Sequence, residues 1–224
     1  QIILGAQQAA SSRNLALAII NAELNPRPQV SSDEVRALVE RQVDGVIYAT
    51  VFHDIVTLPA EMNATPSVLI GARDGAGKIP SVIPDERAGA ASVVTMLAER
   101  GHKRIAFIAS SVDVPATRGR REGFEAAMIQ AGLSPEGLIV EAEPEALGGY
   151  EAAMHLLGDS AEKRPTALFC YNDRMAIGVY RAASESGLRI PDDISICTPR
   201  LPDRDARFRF GSAPLTTPER PPLE

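Results

Sequence analysis

The sequence contains no tryptophan, and aromatic residues make up only 4% of its 224 positions. Any core must therefore be built mainly from Val, Ile, Leu and Ala, which are readily buried. Cysteine is nearly missing too. Cys170 and Cys197 stand alone, and the histidines His53, His102 and His155 are scattered. Such a set makes neither a disulfide framework nor a metal site, so no metal ligands are assigned. Both cysteines fall in apolar runs and read as small core residues. No apolar run reaches the roughly 18 residues of a membrane span. A cationic excess is lacking as well: Lys and Arg number 23 against 29 Asp and Glu, for a formal net charge of −6. Phosphate contacts need clustered cations, so this chain alone is a poor nucleic-acid binder. The amino terminus shows no basic export signal. Walker-type, GxGxxG, HExxH and GxSxG signatures are all missing, and no catalytic residue or cofactor is assigned. Glu141, Glu143 and Glu145 alternate and could pair as an acid and a base. With no substrate site near them in sequence, they read as a solvated strand end.

What is present is a regular alternation of short apolar runs and helical patterns. Apolar residues make up 45% of the chain, enough for one large domain or two small ones. Ile2, Ile3, Ala6, Ala9 and Ala10 fit a helical face, and Leu15 to Ala22 reads as a strand. Ser32 is placed as a helix cap, with Val35, Leu38 and Val39 inward and an end near Gln42. Gly45 to Ala49 is a strand ending near Tyr48, and residues 50–65 are a connection with a short helix near Leu58 to Asn63. Ser67 to Ala72 is a strand, Arg73 to Lys78 a surface loop, and Ser81 to Pro84 a short strand.

Asp85 caps a helix from Glu86 to about Arg100, which turns Ala90, Val93, Val94 and Leu97 inward. Further on, Arg104 to Ala109 and Leu138 to Glu141 read as strands. Helices are placed from about Arg118 to Ala131 and from Gly149 to Leu157, with Tyr150 as a core residue. The stretch Pro165 to Ile196 is a strand (ALFC), a helix ending at Gly187, and a second strand (ISIC). Tyr171, Asn172 and Asp173 follow the first of these strands. Such an order predicts parallel sheets flanked by helices, with ligands at the strands' carboxyl ends.

Three stretches resemble the effector-binding core of the LacI/GalR family of bacterial transcription regulators. They are Arg100 to Ile108 (RGHKRIAFI), the R-x-x-GF of Arg120, Gly123 and Phe124, and the ND-x-x-A-x-G and GL-x-IP-x-DISI of the Pro165 to Ile196 stretch. Arg41 to Ile47 and Val82 to Gly89 add to the match. The resemblance implies a type I periplasmic-binding-protein-like α/β fold, two Rossmann-like lobes with parallel sheets flanked by helices and a small molecule between them. It implies an amino-terminal lobe over 1–84 and a second over 85–198. Residues 199–224 form a divergent tail rich in Pro and Arg.

The site residues the resemblance implies are Arg120, Asn172 and Asp173; Tyr48 joins them on topology alone, because it stands near a strand's carboxyl end, where ligands sit, and it either contacts the ligand or does not. Arg120 offers a planar fork to hydroxyls or a carboxylate; the alternative is a solvated arginine beside Arg118 and Arg121. Asn172 can donate to and accept from a hydroxyl, or else only shape the strand-to-helix turn. Asp173 is also placed as the cap of the following helix, accepting from Met175 or Ala176 N–H.

The resemblance also implies a strand and a DNA-binding helix-turn-helix head that this sequence does not contain, and the family pattern stops at Ile196. The function expected is a cytoplasmic, homodimeric sensor of a sugar or similar effector, with Tyr180 as an anchor of the dimer surface. Operator DNA would be bound only through the missing head. The alternative is a periplasmic sugar-binding protein of a transport system.

Overall fold

The computed structural model describes residues 2–20, 32–160 and 162–199. The chain divides into two units, Gln1–Pro84 and Asp85–Glu224. The tail beyond Pro199 lies outside the described residues, as do Ala22 and the Asn25 to Gln29 loop.

In the first unit, helices α1 (Ile2–Ser11) and α2 (Ser32–Glu40) accompany a parallel sheet in the order β1-β2-β3. Its strands are β1 (Val46–Val56), β2 (Ser67–Asp74) and β3 (Ser81–Val82). Its core gathers Val35, Val46, Val56, Met62, Leu69 and Ala72. Several expectations are corrected here. Residues 15–20 form no strand and are exposed, because they pair with no neighbouring ladder and so satisfy neither backbone nor apolar side chains. Val39 points outward, 39% exposed, while Val35 and Leu38 carry the inward face of α2. β1 runs to Val56 rather than ending at Ala49. It breaks register between Ala49 and Asp54 and resumes pairing through Asp54, Ile55 and Val56 with Ala72, Arg73 and Asp74. The connection is thereby shortened, and its only turn of helix is a 3₁₀ segment at Ala60–Asn63. The Arg73 to Lys78 loop is reduced to a turn held by Asp74, whose carboxylate accepts from the N–H groups of Ala76, Lys78 and Ile79.

The second unit is a doubly wound sheet of parallel strands in the order β5-β4-β6-β7. These are β4 (Ile105–Ser110), β5 (Ile139–Ala142), β6 (Ala167–Cys170) and β7 (Ser195–Cys197). Helix α3 (Glu86–Glu99) packs with α4 (Pro115–Gln130), and α5 (Ala146–Leu157) packs with α6 (Asp173–Glu185). The two central strands are buried along their whole length, as covered parallel strands must be. Phe107 of β4 stands in register with Phe169 of β6, and their rings stack at 4.7 Å. Phe124 of α4 closes on Phe107 at 5.4 Å.

Asp85 caps α3 as expected, accepting from Ala88 N–H at 2.9 Å. Helix α4 starts at Pro115 rather than Arg118, since proline at a first helical position gives up only an N–H with no intrahelical partner. Helix α5 likewise starts at Ala146 and takes in two glycines that read as a late start. Tyr150 is half-buried; its ring packs against the core and its hydroxyl donates to Glu185 at 2.7 Å. Tyr180, placed in sequence as an exposed anchor, is also half-buried and packs against its own core.

Glycines set the helix spacing. A Cβ on Gly178 would lie 1.9 Å from the Ala146 carbonyl oxygen, and one on Gly149 would lie 2.2 Å from that of Met175. A Gly178→Ala substitution should therefore force α5 and α6 apart and cost on the order of 1–3 kcal/mol, as overpacking does. Urea unfolding checks this through a lowered midpoint. Both cysteines are free, and burial pushes their thiols up, Cys197 to about 11 and Cys170 further still. In native protein at pH 8 neither should react with a disulfide reagent within minutes, whereas both should react in urea; thiol titration reads the difference.

Candidate functional site

Strands β4 and β6 are neighbours, but their onward connections run to opposite flanks of the sheet. From β4 the chain passes through α4 to β5, and from β6 through α6 to β7. The carboxyl ends of such a pair part their loops and leave a crevice, where ligands of open α/β sheets bind. Here those ends carry Ser110, the last residue of β4, with Ser111 after it, and Tyr171 and Asn172 after β6.

Arg120 reaches this point from the second turn of α4. Its Nε donates to Glu86 Oε2 at 2.6 Å. Its Nη1 donates to the Tyr171 carbonyl oxygen, and its guanidinium lies over the Tyr171 ring, 4.4 Å from the centroid. The Arg120 side chain is 17% exposed and that of Glu86 9%. It is therefore not the solvated helix arginine that its neighbours suggested. Arg118 and Arg121 do take that role, paired with Asp113 and Glu141.

Asn172 is the N-cap of α6. Its Oδ1 accepts from Met175 N–H at 2.8 Å, and its Nδ2 donates to the Pro144 carbonyl oxygen at 3.0 Å. This corrects the placement of Asp173 as the cap. Asn172 has the extended backbone a cap needs, whereas Asp173 is already helical and lies exposed at the first position. There its charge still favours the helix N-terminus. The second amide N–H of Asn172 and its second lone pair are left over after these bonds.

Tyr48 belongs to the first unit. It stands third in the eleven-residue β1, not at a strand end, and packs half-buried against Val35 and its neighbours. Burial raises its phenol above the usual range, and the charges of Glu34 and Asp54 add to this. The structure thus brings Arg120, Asn172 and Asp173 to one end of the second unit's sheet, and Tyr48 belongs to the sheet of the first unit.

The three alternating glutamates each have a partner. Glu141 pairs with Arg121, Glu143 accepts from Ser111 Oγ at 2.8 Å, and Glu145 pairs with Arg174. No cluster of His, Cys, Asp and Glu among the described residues could hold a metal ion. Among the described residues, no helix is long and apolar enough to cross a membrane. The sequence reading missed Glu86 and Tyr171 as parts of the site. Glu86 reads in sequence only as the first residue of a helix, and nothing local announces a partner 34 positions away.

Residues 94–224 match the periplasmic binding protein-like domain. The HTH-type transcriptional repressor PurR of Aliivibrio fischeri is 34% identical over 191 residues, which are 84% of this chain and 56% of that protein. The ribose operon repressor of Escherichia coli is 30% identical over 224 residues, 99% of this chain and 66% of that one. The chain thus spans a little over half to about two thirds of the curated relatives it matches. Among solved structures, a LacI-family regulator from Rhizobium etli superposes with a TM-score of 0.72 at 29% identity, covering 87% of this chain and 70% of its own. A LacI transcriptional regulator from a Rhodococcus species gives 0.65 at 30% identity, covering 84% and 68%. By these matches the chain belongs to the periplasmic binding protein-like family, in its LacI-family regulator branch.

Proposed function

We propose that this chain is the effector-sensing core of a LacI-type transcriptional regulator. It binds a small, oxygen-rich molecule of the sugar class at the carboxyl ends of β4 and β6. The occupancy of that site sets the operator affinity of a helix-turn-helix head carried elsewhere in the full-length protein. The observation that carries this reading is the placement of Arg120 and Asn172 on the two sides of the strand pair where the connections diverge. Arg120 Nη2 supplies a donor, and the remaining amide valences of Asn172 supply a donor and an acceptor, which suits hydroxyls that are both. The relatives support a regulator over a transport protein, since the curated ones cited above are repressors, and one is by name a ribose operon repressor. Regulation requires only that the effector bind one conformational state better than the other. Such a regulator works in the cytoplasm and as a homodimer.

A thermal-shift screen of the chain against pentoses and hexoses tests this. A ligand at a hundredfold excess over its Kd adds about 2.7 kcal/mol of stability, a readable rise in Tm. Arg120→Lys, which keeps a cation beside Glu86 but loses the fork, should weaken binding of the hit about tenfold or more by calorimetry. Unchanged affinity would remove Arg120 from the site, and a screen without any hit would remove the sugar reading. In the genome, a helix-turn-helix segment ahead of this core supports the regulator. A signal peptide there favours the transport protein instead.

A further inference from the structure

The Arg120–Glu86 pair determines what charge the proposed ligand may carry, an inference that rests on the site proposed above. An arginine that recognises a carboxylate or phosphate does so by presenting an uncompensated charge and two parallel donors. The charge of Arg120 is already compensated. Its Nε edge is closed by Glu86 at 2.6 Å, its Nη1 is turned onto the Tyr171 carbonyl, and one face is covered by the Tyr171 ring. Three N–H groups remain, two on Nη2 and one on Nη1, and the charge behind them is already balanced by a carboxylate only 9% exposed.

The surroundings reinforce this. Each arginine of α4, and Arg174 in the first turn of α6, is paired with its own carboxylate: Asp113, Glu86, Glu141 and Glu145. Glu143 is held beside Ser111 and Asp173 stands at the start of α6, so this end of the sheet carries further negative charge. A neutral hydroxyl or carbonyl oxygen accepts from Nη2 without electrostatic cost. An anionic oxygen there would sit across one guanidinium from the Glu86 carboxylate, in a place where water screens little.

We propose that Glu86 is a specificity-determining residue, which neutralises and aims Arg120 so that the site takes an uncharged oxygen-rich ligand and rejects its carboxylate and phosphate analogues.

Inorganic phosphate serves as the anionic probe, with thermal shift of the whole chain read against chloride at matched ionic strength. Wild type should gain no phosphate-specific stability. Glu86→Gln keeps an oxygen to accept from Arg120 Nε and removes only the charge. It should bind phosphate at least about tenfold more tightly than wild type, roughly 1.4 kcal/mol. The gain should vanish in the double variant Glu86→Gln with Arg120→Met, and Glu86→Asp should behave as wild type. A phosphate shift in wild type that the double variant lacks overturns the proposal, as does a Glu86→Gln protein that gains nothing. Should Glu86→Gln not fold, Glu86→Ala, which also removes the charge, carries the same test: an Arg120-dependent phosphate gain supports the proposal and no gain overturns it. This assay needs no effector. If the sugar screen fails while the phosphate pattern holds, the effector reading falls and the charge selection at Arg120 stands.

Discussion

Phe107 and Phe169 are paired residues on adjacent parallel strands, and the second unit is arranged around their stacked rings. They join β4 and β6, the two strands whose connections leave in opposite directions. Phe124 adds the helix above them, with its ring 5.4 Å from Phe107. Residues four apart on a helix share a face, so the burial of Phe124 fixes the rotation of α4 and thereby the direction of Arg120, one turn nearer its start. The guanidinium then meets the Tyr171 carbonyl just past the end of β6. A packing constraint inside the core thus sets the position of a polar group at its rim.

The short motifs become physical statements on this basis. In R-x-x-GF, Arg120 belongs to the proposed site, Phe124 to the core, and Gly123 to the contact between helices, where a Cβ would come within 2.2 Å of the Arg87 carbonyl oxygen. In ND-x-x-A-x-G, Asn172 caps the helix, Ala176 is buried, and Gly178 permits α6 to lie against α5. Each fixed position answers to a cap, a packed face or a close approach. The positions between them divide: Arg121 and Arg174 pair with surface carboxylates and Ile177 is exposed, whereas Met175 is buried with Ala176.

Much of the second unit was legible in sequence for that reason. Helix α3 announces itself through Asp85 and the spacing of Ala90, Val93, Val94 and Leu97, all of which are buried. Strands β4 and β6 are continuous apolar runs, as buried parallel strands are. The first unit was less legible. Val51 to Val56 mixes polar and apolar residues, and its pairing with β2 resumes only after a break in register that no local pattern encodes. Leu15 to Ile20 has the composition of a strand, but composition does not provide a neighbouring ladder. Within the site, the choice between Asn172 and Asp173 as cap turned on one residue's backbone geometry. The role of Glu86 turned on a contact between helices that are distant in sequence.

The residues of the proposed site are also structural residues. Asn172 holds the first turn of α6 and ties it to Pro144, and Arg120 ties α4 to Glu86 and to the end of β6. Their rotamers are set before any ligand arrives, so little side-chain entropy is lost on binding. A site held this firmly favours selectivity over adaptability, since its donors and acceptors do not reorganise to suit a different charge. It also constrains how a signal arises. If the proposed effector site is correct, with the residues at the ends of β4 and β6 already fixed, the free energy that separates two conformational states would have to come from ligand contacts made outside this rigid group, with Arg120 and Asn172 supplying the affinity common to both states.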